Sequence, residues 1–442
     1  MLGILLLAVS VILYFSPRKR YLSYFLYISF MFDGYKVLID PVLGGVKNGD
    51  IALVYTFVIS LVMILQKKYV LVHDKITKWF VVFVLFLGCS MIFSMYHYDI
   101  PFMQVIQGGR FLLLVFCYPI LRNMKLEECK RLFNLLARFT VLVGIVDVVQ
   151  VIIQIPIIPT YEINRDPATG LIRFFNYPVF SIFFLIVCLV KPDYFGKRTK
   201  YVLGLLLVCI MGTLGRSLML ITLICILLGL WFQGKRSAII KYGLIITICA
   251  LPFSTMISER YVSSNSGTQD DINAVLHGNI ELNSYEQIEG SFTYRLSWVL
   301  ERFQYLEKRP IGEKIFGLGL LSDSSPLSQQ MYRFIVNIKF YGSGMVQQLR
   351  SPDIAYGTML AYLGFGGFFV YVMFVYNLFK GIFKMRTYNC YFLAGSIWII
   401  FTFLISFFSD DLTNPYIFSL CYILLSCLLY TSPSPRDVEE SR

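Results

Sequence analysis

Arg216 is the residue whose position most suggests chemistry. It stands in the segment 212–217, Gly-Thr-Leu-Gly-Arg-Ser, between two apolar runs that are too close together for a real loop. An arginine in the middle of a membrane helix costs about 2.5–3.5 kcal/mol on insertion scales, so a retained one needs a reason. Its planar guanidinium offers paired donors to a phosphate, which favours an anion clamp at the membrane surface. A snorkelling side chain that anchors a helix end is the alternative.

A second group of charged residues lies in the long polar stretch 258–354. Within it, four apolar residues recur at the spacing of one helix face: Phe292, Leu296, Val299 and Phe303. This pattern predicts an amphipathic helix with Arg295 near its start. The helix either contributes Arg295 to a site or simply lies solvated on the membrane.

The end of the polar stretch brings two more charged residues, Arg350 and Asp353, next to an apolar run that begins at residue 355. Pro352 is suited to the first turn of a helix, and Asp353 complements the positive end of the helix dipole. Helix capping alone would therefore explain Asp353. Arg110 follows a pair of glycines near the start of another apolar run, where anchoring and function are both open.

The composition excludes an ordinary soluble protein. The chain is 57% hydrophobic and only 15% charged, and apolar runs close to the length of a membrane span recur along it. About twenty apolar residues cross the ~30 Å hydrocarbon core, and they must do so as helices because their backbone has no water to bind. The net charge of +12 lies in short Lys and Arg clusters between these runs, which argues against a nucleic-acid partner.

We predict an all-α polytopic membrane protein of about thirteen spans. They lie near residues 2–16, 21–37, 51–66, 78–96, 104–121, 133–157, 173–190, 201–214, 217–232, 238–256, 355–379, 390–408 and 415–430. Basic connections alternate with connections poor in Lys and Arg, so the basic set is predicted to be cytoplasmic. The stretch 258–354 is then a large extracytoplasmic loop, with the N-terminus outside and the C-terminus inside.

This organisation divides the chain into helices at 1–257, the loop at 258–354, further helices at 355–430 and a tail at 431–442. The tail changes character abruptly and resembles translated sequencing-adapter sequence. We expect that it is not native and that the true C-terminus is missing. The sequence has no zinc-type spacing of Cys and His and no phosphate-binding Gly-rich Lys loop, so neither a metal nor another cofactor is predicted.

Three local motifs, in this order and on this side of the membrane, resemble the O-antigen ligase and polymerase superfamily of bacterial envelope glycosyltransferases. The segment 215–217 resembles the family's short arginine motif at an outer helix end. Arg295, followed by the Pro and Gly-x-Gly of segment 310–319, resembles an Arg-bearing helix of the outer loop. Asp353, with Gly364 after it, resembles the motif that closes this loop. The polar residue of that motif is typically His in ligases. Here it is Asp353, which makes the motif similar to that of the repeat-unit polymerases.

The resemblance implies a GT-C-like architecture in the bacterial inner membrane, with the large loop in the periplasm. It implies polymerisation of undecaprenyl-diphosphate-linked oligosaccharide repeat units into surface polysaccharide, such as O-antigen, capsule or exopolysaccharide. Partners would be the lipid-linked substrate, the bilayer, and a chain-length regulator and a flippase of the same pathway. No cofactor or metal is implied.

The same resemblance implies roles for individual residues. Arg216 and Arg295 would stabilise the negative charge that develops on the diphosphate leaving group. Asp353 would accept the proton of the acceptor hydroxyl. The expected substrate-binding set consists of these two arginines with Arg110, Arg350 and Tyr356.

Three alternatives remain open from the sequence. A ligase would transfer the glycan to the lipid A core. A flippase or transporter would use the arginines during passage of the lipid diphosphate, although such proteins often show two related halves and none is visible here. A metal-dependent membrane glycosyltransferase would use the outer acidic residues Asp40, Asp50, Asp410 and Asp411.

Overall fold

The computed structural model describes residues 2–39, 43, 46–159, 164–165, 170–234, 292–336, 338–339 and 346–431. This part of the chain is nearly all helical, which confirms the predicted all-α class. Its strands form two short antiparallel pairs: β1 (Asn164–Arg165) with β2 (Ile172–Arg173), and β3 (Ile338–Lys339) with β4 (Val346–Gln347). The span predicted at 238–256, the loop segment 258–291 and the tail from 432 lie outside the described residues.

Most of the described helices before the long polar stretch follow one another closely, but longer connections lie at 32–47 and 154–180. They are α1 (Leu2–Phe15), α2 (Arg20–Met31), α3 (Asn48–Leu65), α4 (Lys75–His97), α5 (Phe102–Leu113), α6 (Cys117–Arg122), α7 (Leu126–Ile153), α8 (Ser181–Val190), α9 (Thr199–Gly212) and α10 (Arg216–Phe232). A short 3-10 turn (Leu114–Phe116) joins α5 to α6. The later helices are α11 (Phe292–Glu307), α12 (Ile311–Phe316), α13 (Pro326–Met331), α14 (Ala355–Lys384), α15 (Cys390–Ile405) and α16 (Ser419–Thr431).

Among the described residues, five helical segments are long and apolar enough to cross a membrane. They are α3, α4, α7, α14 and the continuous segment Phe102–Arg122. α3 exposes large apolar side chains along its outer face, with Phe57 73% and Leu65 74% exposed, as lipid contact requires. The chain is therefore a helical membrane protein, and the total of thirteen spans stays a prediction.

Several helices are shorter than the predicted spans, for local reasons. The span predicted at 21–37 ends as a helix at Met31, because Asp33, Gly34, Tyr35 and Lys36 have left-handed backbone conformations. The span predicted at 173–190 becomes helical only from Ser181, after a non-helical segment at 170–178. The first of these interruptions places Asp33 and Lys36 in the lining of a cavity.

Connections of the basic set contact one another, and so do connections of the set poor in Lys and Arg, as the charge pattern predicts. In the basic set, Arg20 pairs with Glu128 at 3.1 Å and Arg122 pairs with Asp74. In the other set, the contacts are His97 with Glu313 (3.1 Å), Ser325 with Gln104 (2.9 Å), and Arg350 with Asp410. Asp74 is the N-cap of α4 and His97 is its last residue, so the two sets lie at opposite ends of that helix. Which end faces the cytoplasm stays a prediction.

The end of α12 docks onto an interruption in α14. Gly317 has φ 85° and ψ −169°, and Gly364 has φ 62° and ψ −171°, a region essentially open to glycine alone. A Cβ at Gly364 would lie 2.6 Å from the backbone nitrogen of Gly317. The amide of Leu318 donates to the carbonyl of Ala361 at 2.7 Å, just before the interruption. The glycines of the two loop motifs therefore permit one backbone-to-backbone contact.

The amphipathic helix predicted in the loop is confirmed as α11, but its packed face differs from the predicted one. Phe292 and Phe303 of the predicted face are 38% and 42% exposed. The buried face carries Trp298 and Arg302, which are fully buried. Because the guanidinium of Arg302 lies 3.5 Å from the ring centroid of Trp298, a charged side chain forms part of the core here. Counting apolar residues alone could not assign that face.

Candidate functional site

Arg295 and Asp353, which are far apart in the sequence, lie together where the loop meets α14. Nη2 of Arg295 is 3.7 Å from Oδ1 of Asp353, and its Nε donates to the Asp353 carbonyl oxygen at 3.1 Å. The guanidinium also lies 5.5 Å from the ring centroid of Phe408. The side chains of Arg295 and Asp353 are 15% and 33% exposed, so the pair is reachable from outside yet partly desolvated. Such a setting strengthens charge–charge contacts.

Asp353 does not cap α14, although the sequence allowed helix capping as its sole role. α14 begins at Ala355, its N-cap is Ile354, and this N-cap makes no side-chain capping bond. Pro352 and Asp353 precede the helix. Asp353 instead donates its backbone amide to the hydroxyl of Ser351 at 3.2 Å. Its carboxylate faces Arg295.

Arg350 is positioned by a buried carboxylate in the loop. Asp323 accepts hydrogen bonds from the backbone amides of Gln348 (3.1 Å), Leu349 (3.0 and 3.2 Å) and Arg350 (2.7 Å). Burial raises the pKa of Asp323, and these amides lower it in part. The backbone before Asp353 is thus tied to the segment after α12.

The Arg350 side chain points away from the loop core toward the connection after α15. It forms an ion pair with Asp410, and its guanidinium lies 4.5 Å from the ring centroid of Phe111. Burial lowers the pKa of Arg350, but the Asp410 carboxylate more than offsets this and the net shift is upward. Arg350 is therefore a permanent cation at this end of the bundle.

Asp323→Ala is expected to lower stability by about 3 kcal/mol or more, because it leaves several buried amides without an acceptor. The same substitution should release the backbone of Arg350 from its position. Thermal unfolding of the purified protein in detergent checks the first effect. The neighbouring Ser324→Ala, at an exposed position, serves as the control and should leave the unfolding midpoint unchanged. Equal midpoints for the two variants would contradict the positioning role.

Arg216 is the first residue of α10, after the tight reversal expected from the sequence. The left-handed residue of this reversal is Leu214 (φ 52°) and not a glycine. Gly212 instead permits close approach to α7, since a Cβ there would lie 2.6 Å from Cγ2 of Val151. A cation at the first residue of a helix opposes the helix dipole. Local helix stability therefore does not account for Arg216.

The other two predicted binding residues have structural contacts of their own. Arg110 lies about two turns into α5 and pairs with Asp50 at 3.3 Å. The hydroxyl of Tyr356 donates to the carbonyl of Phe403 at 2.7 Å, and its ring packs against Phe407. These contacts suit anchoring of α5 and α14. Neither residue is part of the Arg295–Asp353 pair.

A cavity of about 230 Å³ lies at the same end of the bundle. Among the described residues it is lined by Phe32, Asp33, Lys36, Tyr177, Val179, Ile182, Arg350, Trp398, Phe401, Asp410, Asp411, Asn414, Tyr416 and Ile417. Of the predicted site residues, only Arg350 is in this lining. That Arg216 and Arg295 act together on one diphosphate stays a prediction.

The acidic residues considered for a metal site mostly have other partners. Asp50 pairs with Arg110, Asp410 pairs with Arg350, and Asp411 accepts from the hydroxyl of Ser409 at 2.9 Å. Asp40 lies outside the described residues. Within the described ranges, no three His, Cys, Asp or Glu side chains are grouped so that they could hold a metal ion.

Three residues that matter for this region were missed by sequence reasoning. Arg302 donates to the carbonyls of Val336 (2.8 Å) and Gln348 (2.9 Å), and burial lowers its pKa to about 10. Asp323 gave no signal beyond a Ser-rich turn. Lys36 did give one, because a charged residue at the end of a predicted span calls for a partner.

The described residues form a helical membrane protein in which Arg295, Asp353, Arg350 and Asp410 lie where the loop meets the helices. Compared with models of known protein families and with curated protein sequences, the chain matches none.

Proposed function

We propose that the protein is a membrane glycosyltransferase that polymerises undecaprenyl-diphosphate-linked oligosaccharide repeat units into surface polysaccharide. The proposal places it in the bacterial inner membrane, with the Arg295–Asp353 pair at the outer face. A chain-length regulator and a flippase would work beside it. No metal or other cofactor takes part in the proposed reaction.

The observation that carries the proposal is the ion pair between Arg295 and Asp353. It supplies a cation and a carboxylate, from distant parts of the chain, in one partly desolvated position. Transfer from a diphosphate needs both: a donor for the charge of the leaving group and an acceptor for the hydroxyl proton. The order of the loop motifs, together with the glycine contact between Gly317 and Gly364, supports the same assignment.

The proposed step balances without a further reactant. An acceptor hydroxyl oxygen bonds to the anomeric carbon of the donor glycan, and the bond from that carbon to the phosphate oxygen breaks. The bonding pair leaves with undecaprenyl diphosphate, whose charge Arg295 stabilises. The hydroxyl proton passes to the carboxylate of Asp353. When the diphosphate engages Arg295, the ion pair loosens and frees Asp353 to act as the base.

Arg216 takes a supporting part in this proposal. Its place at the start of α10 combines a guanidinium with the positive end of a helix dipole, which favours an anion. We assign to it the second phosphate of the diphosphate. Arg350 and Arg110 keep the surrounding potential positive.

The test is incubation of the purified protein with lipid-linked repeat units, with products separated by length. The proposal expects a ladder of products that differ by one repeat unit. A single transfer to added lipid A core would instead indicate a ligase. Absence of any product, with movement of the lipid-linked unit across a vesicle membrane, would indicate a flippase.

Asp353→Asn is expected to lower the transfer rate by about 100-fold or more, because the amide cannot accept the proton. Binding of the lipid-linked unit should change much less. Single-turnover kinetics with titrated substrate separate the two effects. Asp193→Asn, an exposed carboxylate in the basic set of connections, is the matched control. Equal losses in rate and in binding would make Asp353 a structural residue.

A further inference from the structure

The cavity lined by Arg350 has an excess of hydrogen-bond acceptors. Asp33, Asp410 and Asp411 contribute carboxylates to its wall. Asn414 is 7% exposed, and its Nδ2 donates to the carbonyl of Asp410 at 3.3 Å. Its buried Oδ1 accepts no hydrogen bond within the described part of the chain. A buried acceptor without a donor is unfavourable, so the occupant of this cavity should donate.

The charges of the wall select among possible donors. The wall carries three carboxylates and two cations, Lys36 and Arg350, so an amine that approaches the carboxylates also meets like charges. Phosphate is disfavoured too, because it offers acceptors to an acceptor-rich wall. Arg350 is also already paired with Asp410. Hydroxyl groups suit both the carboxylates and the cations of the wall, since each hydroxyl can donate to a carboxylate and accept from Lys36.

Size and apolar surface narrow the ligand further. At about 230 Å³ the cavity is smaller than the ~300–1,000 Å³ typical of sites for drug-sized ligands. It therefore suits one compact ring. The rings of Trp398 and Tyr416 supply apolar wall beside the carboxylates. A neutral polyhydroxylated ring with one apolar face matches this combination.

We propose that this cavity binds a neutral sugar unit of the acceptor glycan, with Asn414 and Asp411 accepting hydrogen bonds from its hydroxyl groups. The inference rests on the proposed function for the identity of the glycan. Arg350 links the two regions, because it lines the cavity and is three residues from Asp353. Three residues of chain span at most about 11 Å between their Cα atoms, so the segment that carries Arg350 lies near the Arg295–Asp353 pair.

The experiment titrates methyl glycosides of hexoses and N-acetylhexosamines onto the purified full chain in lipid nanodiscs. Saturation-transfer NMR reports binding, with inorganic pyrophosphate and methylammonium as competitors. At least one glycoside should bind saturably, and neither competitor should displace it. Asn414→Leu and Asp411→Asn should each weaken binding tenfold or more. Glu127→Gln, an exposed carboxylate at the other end of the bundle, should not change it.

Three outcomes would overturn the inference: no glycoside binds, binding is unchanged in the Asp411→Asn variant, or pyrophosphate displaces the sugar. Asp411→Asn keeps the side-chain shape, so glycoside binding by this variant still tests the inference if Asn414→Leu fails to fold. Arg295→Ala should retain glycoside binding while losing the product ladder. Glycoside binding that depends on Asp411, without any product ladder, would contradict the proposed function but not the cavity site. A product ladder with unaltered glycoside binding in the Asn414→Leu and Asp411→Asn variants would contradict the cavity site but not the proposed function.

Discussion

Arg295→Ala is expected to abolish the product ladder, with a loss of about 100-fold or more in the rate of chain growth. Removing one donor that stabilises developing negative charge typically has an effect of this size. The loss should be in catalysis and not in folding, because Arg295 is partly exposed and Trp298 and Arg302 anchor its helix independently. The measurement is the length distribution of products from lipid-linked repeat units, with insertion checked by sidedness labelling.

Arg309→Ala is the matched control for this prediction. Arg309 lies in the same loop, is 39% exposed and pairs with Glu313 at 3.3 Å, so its removal also breaks an ion pair. Chain growth should be almost unchanged in that variant. Arg216→Ala should behave like Arg295→Ala. If the Arg295 and Arg309 variants build chains of the same length, Arg295 has no part in the reaction.

Gly364→Ala is expected to give the largest loss of stability, on the order of 3–5 kcal/mol. Its backbone conformation is essentially closed to alanine, and the added Cβ would meet backbone atoms of Gly317, Lys314 and Ile315 at 2.6–2.7 Å. Backbone atoms cannot rotate away as a side chain can. Gly317→Ala should have a similar effect, because it faces the same contact. Thermal unfolding of the purified variants measures both.

Gly88→Ala provides the control for the glycine prediction. Gly88 lies in α4, and a Cβ there would meet no atom within 4 Å. Alanine should be neutral or slightly stabilising at this position, because glycine weakens a helix interior by roughly 0.5–1 kcal/mol. A Gly364→Ala variant as stable as Gly88→Ala would show that the two loop motifs do not dock as described.

The sequence predicted the helical class and most helix positions well, because apolar runs with basic flanks are a strong local pattern. The grouping of Arg295 with Asp353 in one site came only from the family motifs and not from any local pattern. The physical reason became visible in the fold: Gly317 and Gly364 occupy matching glycine-only conformations. Two distant backbone conformations that fit each other leave no periodic trace in a sequence.

The packed face of α11 shows why other features could not be predicted. A pattern of apolar residues selected Phe292 and Phe303, but the buried face carries Arg302 between the rings of Trp298 and Phe334. An arginine is counted as polar by any periodicity rule. Its burial depends on carbonyl acceptors at Val336 and Gln348, which lie far along the chain.

The cavity depends in the same way on contacts between distant segments. Lys36, Tyr177, Arg350 and Asp411 come from separate connections, and each alone is consistent with an ordinary surface position. The interruption of α2 at Met31 is the local event that brings Lys36 there. The sequence assigned Arg350 to the binding set and Asp411 to the alternative metal site, but it did not place either of them together with Lys36.

The central claim is that the charged junction between the loop and α14 binds a lipid diphosphate. Native mass spectrometry of the purified protein with undecaprenyl diphosphate tests it most directly, with wild type, Arg295→Ala and Arg309→Ala compared at equal lipid concentration. Wild type and Arg309→Ala should bind one molecule with the same affinity, and Arg295→Ala should bind at least about tenfold more weakly, as loss of a charge-assisted contact implies. Equal affinity in all three proteins would contradict the claim.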